Sequence, residues 1–127
     1  MRLPIVALLA LLLSACAGHP PHSSGVSHVV LVWFEDTVST TDIADIRARS
    51  LELQNIPGLK SIQAGAAVPS ERPIVDDSFD LGLVMRFETV EAMQAYLTHP
   101  RHQAFVRQHI RGKVKRLQVY DILDRLH

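Results

Sequence analysis

Apolar residues along this chain recur with two different periods, and the changes between them mark out its elements. His28-Val-Val-Leu-Val-Trp-Phe-Glu35 is rich in β-branched and aromatic residues and predicts a strand. Both of its parities are apolar, Val30, Val32 and Phe34 on one side and Val29, Leu31 and Trp33 on the other, so both faces call for cover. From Thr40 to Asn55 the apolar positions Ile43, Ile46, Ser50 or Leu51 and Leu53 follow a helical period, with Ser39 and Asp42 forming a capping box ahead of them. Pro57-Gly58 ends that helix, and Leu59 to Val68 predicts a second strand. After a loop from Pro69 to Ser78, a third strand spans Phe79 to Glu88, in which Phe79, Leu81, Leu83, Met85 and Phe87 make one apolar row. Thr89 caps a second helix that breaks at His99-Pro100 and resumes toward Val114, and Arg116 to Asp124 alternates as a fourth strand.

The order β-α-β-β-α-β predicts an α+β, ferredoxin-like sandwich, with two helices on one face of an antiparallel sheet. The opposite face then stays bare while the first strand is apolar on both sides. A second copy of the chain is the simplest cover, because two such sheets can pack face to face, and a homodimer is therefore expected.

The N-terminus carries a different signal. Arg2 precedes an apolar run, Leu3 to Leu13, that is too short for a bilayer, which needs about 20 residues. It ends in Leu13-Ser14-Ala15-Cys16, which resembles the lipobox of bacterial lipoproteins, where cleavage before the cysteine leaves it to be acylated. The resemblance implies a signal peptide over 1–15, a lipidated Cys16 with a flexible tether over 16–27, and a folded domain over 28–124. Several acyl chains on Cys16 would hold the product on a lipid bilayer. Ala17 stands where an aspartate would mark inner-membrane retention, which implies the outer membrane, with the periplasmic side expected. The alternative is an ordinary cleaved signal with an incidental Cys16.

Composition narrows the partners. A formal net charge of zero and the lack of a basic tract give no footprint for nucleic acid, and the lone cysteine cannot make an internal disulfide. No phosphate loop, dinucleotide fingerprint or serine elbow occurs, so no cofactor is expected. His99, His102 and His109 share helical spacing, but neither a cysteine nor a carboxylate completes a ligand set, and no metal is expected.

The groups that could do chemistry crowd into Glu88 to Phe105. Pro100 starts a helix at which His102 falls in the first turn, near unpaired N–H groups that disfavour imidazolium. A neutral imidazole there can act as a base or merely orient the helix start. Tyr96 lies on the apolar stripe of the preceding helix, either as a core aromatic or as an acid facing a cavity.

The segments His28-Val-Val-Leu-Val-Trp-Phe, Ile56-Pro-Gly-Leu and Tyr96-Leu-Thr-His-Pro-Arg-His-Gln-Ala-Phe105 together resemble the stress-responsive A/B barrel (Dabb) domains, and the match covers nearly all of His28 to Asp124. The resemblance implies a dimeric α+β barrel with a small apolar cavity between each sheet and its helices. A plant polyketide-cyclase branch of the family uses a tyrosine and a histidine that fall on Tyr96 and His102. His28 matches a frequent histidine of the first strand, while Leu81 replaces a third-strand histidine of that branch. Trp33, Leu81, Phe87 and Phe105 are the expected pocket residues.

Two functions remain open at this level. One is a lipid-tethered dimer that holds a small apolar molecule or contributes to envelope integrity under stress. The other is a cofactor-free enzyme in which His102 removes a proton alpha to a carbonyl while Tyr96 or His28 steadies the oxyanion.

Overall fold

The chain runs through β1 (Val26–Phe34), α1 (Thr40–Leu51), β2 (Leu59–Gly65), β3 (Leu81–Phe87), α2 (Val90–Thr98), α3 (Pro100–Phe105) and β4 (Val114–Leu123) in the computed structural model, which describes residues 25–125. The expected signal segment and Cys16 lie outside the described residues. A 3-10 turn, Glu52–Asn55, extends α1, and a π turn, Val106–Ile110, extends α3. The strands form one antiparallel sheet in the order β2-β3-β1-β4, so the fold is the ferredoxin-like α+β arrangement.

Alternation along β1 sorts its side chains between the two faces. Val26, His28, Val30, Val32 and Phe34 point inward and are buried. They join Leu81, Leu83, Met85 and Phe87 of β3 in a core closed by Ile46, Leu53, Met93 and Tyr96 from the helical layer. Each such aliphatic or aromatic side chain stabilises the fold by about 1.5–3 kcal/mol on full burial, which makes this layer the main source of stability.

Local chemistry fixes where the helices begin. Ser39 Oγ accepts from the Asp42 N–H at 3.1 Å while the Asp42 carboxylate accepts from the Ser39 N–H at 3.0 Å, so both arms of the capping box are present. Thr89 Oγ1 accepts from the Ala92 N–H at 3.0 Å at the start of α2. The chain enters β2 through Ile56-Pro57-Gly58-Leu59, closed by Leu59 N–H to Ile56 C=O. Gly58 there has φ +90°, a conformation in which glycine has no Cβ to clash.

β2 ends at Gly65, short of the expected Val68, β4 starts at Val114, ahead of the expected Arg116, and three further details depart from the sequence reading. The first strand starts at Val26, two residues inside the expected tether, because Val26 and Ser27 pair with both β3 and β4. The last helix stops well short of Val114: the chain closes into the π turn and reverses at Gly112, whose φ is +77°. Phe79 does not extend the inward row of β3. Asp80 donates its N–H to Val32 C=O and accepts from the Phe34 N–H, and the strand starts at Leu81, two residues later than expected. Phe79 packs instead over Gly82 and edge-on to Trp33, on the other side of the sheet.

Among the described residues, no helix covers that other side. Val29, Leu31 and Trp33 of β1, Val84 of β3 and Tyr120 and Ile122 of β4 lie on it, most of them partly or largely exposed.

Candidate functional site

The break between α2 and α3 is what aims the site. Pro100 has no N–H to give to α2 and disfavours helical backbone at His99, which takes φ −64° and ψ 136°. His99 then caps α3, its Nδ1 accepting from the Arg101 N–H at 3.2 Å. The bend turns His102 back toward α2, and its Nδ1 lies 3.0 Å from Leu97 C=O. A carbonyl can only accept, so Nδ1 carries the proton and the neutral ring keeps its lone pair on Nε2.

Tyr96, six residues earlier in α2, is buried with its ring 4.7 Å from that of His102 and 5.1 Å from that of Phe87, centroid to centroid. Its hydroxyl donates to the thioether of Met85 at 3.3 Å, a weak acceptor that a better one can displace. Met85 stands directly across the β1/β3 ladder from His28. On the other side of His28 the register places Asp121 of β4, whose carboxylate accepts from His28 Nδ1 at 2.5 Å.

These groups meet on one cavity of about 220 Å³ between the sheet and the helices. His28, Tyr96 and His102 all line it, and the rest of the wall is apolar: Val30, Val32, Leu83 and Met85 from the sheet, Leu53, Leu97, Phe105, Val106 and Ile110 from the helical side, and Leu117 and Val119 at β4. A larger depression of about 490 Å³ between α1 and α3 is a solvent-open groove edged by Asp45, Arg49, Glu52 and Arg101. Its charges are already among water and gather around no enclosed point, so the smaller cavity is the candidate site.

The four expected pocket residues separate. Phe105 lines the cavity. Leu81 and Phe87 are core residues beside it, one at the start of β3 and the other under the Tyr96 ring, and neither reaches its wall. Trp33 lies on the helix-free face, where Nε1 donates to Ser78 Oγ at 3.0 Å and the Arg116 guanidinium sits 4.2 Å over the ring, so the pocket position expected for it is corrected. The parity of β1 is the reason, since a strand that buries His28 must turn Trp33 the other way. Asp121 escaped the sequence reading because a lone acid in an alternating strand looks like a solvent-facing position. Only pairing β4 with β1 in register would have put it opposite His28.

Electrostatics limit what the cavity can do. Burial pushes the Tyr96 phenol far above its ordinary range, so it stays protonated and serves as a hydrogen-bond donor. Burial also lowers the His102 pKa, against the opposing pull of the Leu97 carbonyl and with a smaller push from His28. The neutral imidazole expected at this position is therefore maintained mainly by desolvation. With one O–H donor, imidazole nitrogens and an acid behind His28, the site fits an uncharged polar group at the end of an apolar body.

Comparison with known proteins gives a consistent picture. No curated protein sequence matches the chain. Among solved structures, a protein from Arabidopsis thaliana is 28% identical with a TM-score of 0.68, the match covering 76% of this chain and 92% of that one. Hydroxynitrile lyase from Passiflora edulis is 20% identical with a TM-score of 0.70, covering 80% and 94%. A dimeric ferredoxin-like protein of unknown function from Thermobifida fusca is 22% identical with a TM-score of 0.66, covering 80% and 92%. At such identities the last two establish a shared fold. The family model for the stress responsive A/B barrel domain matches residues 26–124, essentially everything from β1 to the end of β4, and the chain belongs to that family, Dabb.

Proposed function

We propose that this protein is a lipid-anchored module of the bacterial envelope, on the periplasmic side of the outer membrane, whose Dabb domains pair as a homodimer and hold a small, uncharged, largely apolar molecule. The observation that carries the reading is the cavity itself: an apolar pocket ending in His28, Tyr96 and His102. Pairing is supported by the helix-free face of the sheet and by the dimeric relative from Thermobifida fusca. The anchor is supported by Leu13-Ser14-Ala15-Cys16 at the end of a short apolar run. The full-length chain, extracted from membranes and analysed by mass spectrometry, should carry a small organic molecule that His102→Ala loses. Neither protein carrying a molecule, or both carrying it equally, would contradict the reading.

The contact between His28 and Asp121 favours a second reading, that of a cofactor-free enzyme. A carboxylate on Nδ1 orients the His28 imidazole and supports positive charge on it, which would let Nε2 donate a hydrogen bond to an oxyanion. His102, kept neutral, would take a proton alpha to a carbonyl, and the Tyr96 hydroxyl or His28 would hydrogen-bond the oxyanion. Tyr96 would act there as a donor and not as a proton-releasing acid. Exchange of the alpha protons of a medium-chain ketone for deuterium, followed by proton NMR, tests this. The full-length protein should accelerate exchange and His102→Gln should not. No acceleration by the wild type would leave the binding module.

A further inference from the structure

Among the described residues, the large apolar side chains left uncovered are Val84 on the helix-free face of β3 and those of two further places. The loop between β2 and β3 leaves Val68 80% and Ile74 90% exposed, and β4 leaves Leu117 50% and Ile122 53% exposed. On β4 they occupy both faces. Ile122 pairs with Ser27 on the helix-free side, where a second sheet would cover it, whereas Leu117 and Val119 pair with the inward Val32 and Val30. These two sit at the cavity wall, and a sheet laid on the opposite face cannot reach them because β4 itself lies between. A dimer made of sheets alone would leave the cavity open to water at that edge.

The loop is braced by hydrogen bonds within itself and to Trp33. Asp77 accepts from the Ser70 N–H at 2.8 Å, Ser70 Oγ from the Arg72 N–H at 3.2 Å, and Ser78 Oγ from Trp33 on the helix-free side. Symmetry then selects its target. In the order β2-β3-β1-β4 the two free edges are β2, from which the loop springs, and β4. A two-fold axis along the strands sets β2 of one copy beside β4 of the other and retires both edges, while an axis across them sets like edges together and takes each loop away from β4. The height also agrees. Gly65, the last residue of β2, pairs with Gly82, Gly82 with Leu31, and Leu31 with Gln118, so the loop departs level with the segment between Leu117 and Val119.

We propose that the loop of each copy wraps the β4 edge of the other, Val68 and Ile74 closing the cavity mouth at Leu117 and Val119, so that each binding site is complete only in the dimer. This rests on the homodimer proposed above. The test is cysteine crosslinking of the full-length chain in detergent, with Ile74→Cys and Leu117→Cys made singly and together. Both positions are exposed, so the substitutions leave the core intact. Under mild oxidation the doubly substituted chain should run as a covalent dimer on a non-reducing gel, and neither single variant should. A dimer by sedimentation that stays uncrosslinked, or one in which Ile74→Cys links to itself, would overturn the wrapped loop and leave the dimer standing. A chain that sediments as a monomer would remove both.

Discussion

Asp121 and His28 lie 93 residues apart in sequence and 2.5 Å apart in space, joined across the β1/β4 ladder by a contact that leaves the histidine ring almost wholly buried and the carboxylate 46% exposed. The asymmetry makes the acid the replaceable partner and the imidazole the vulnerable one. Asp121→Ala strands a buried Nδ1–H, at a cost of about 1–3 kcal/mol. Urea unfolding of the variant should show a lower midpoint at unchanged slope. A midpoint equal to wild type would mean that water replaces the carboxylate freely.

Tyr96 separates packing from hydrogen bonding. Tyr96→Phe keeps the ring against Phe87 and His102 and gives up only a bond to sulfur, so stability should change by less than about 1 kcal/mol. Tyr96→Ala empties a fully buried site and should cost about 3–5 kcal/mol, in the range of other large aromatic truncations. Thermal unfolding of the pair checks the contrast, and the phenylalanine variant should still lose affinity for whatever molecule the cavity holds.

His102 gives the fold a dependence on pH with a defined sign. Its folded pKa lies below the ordinary 6.5, so the unfolded chain binds the proton more readily. The neutral ring's contribution is complete above pH 6.5 and is lost as pH falls from there toward the lowered folded value. His102→Gln can still donate to Leu97 C=O but does not titrate. The wild type should lose stability relative to this variant on acidification below 6.5, and parallel unfolding midpoints across that window would contradict the assignment.

The acylation proposed at Cys16 makes a prediction on location. Cys16→Ser should leave the membrane fraction and appear in a soluble or unprocessed form, whereas the wild type should sediment with membranes. Identical fractionation of the two would favour an ordinary signal segment.

The order of the elements was legible because local rules and burial agreed. β1 alternates, Ser39 and Thr89 cap, Pro57-Gly58 turns, and Pro100 both ends one helix and starts the next. The helix break also set Tyr96 and His102 on two successive helices, six residues apart, which brought them to the same cavity together with His28. What stayed hidden depended on register and on chain reversals. Asp121 needs the pairing of β4 with β1, Phe79 is turned over by the side chain of Asp80, and Trp33 follows from which parity of β1 faces the helices. With both parities apolar, composition alone could not choose, and it was the polar His28 that took the inward place.

The helix-free face is the feature on which the dimer, the wrapped loop and the completed cavity all depend. Sedimentation equilibrium of the full-length protein in density-matched detergent at micromolar concentration tests it most directly. Two chains per particle are expected, falling to one when Ile122→Lys places a charge on the β4 side of the apolar face; one chain per particle for the wild type would contradict the account.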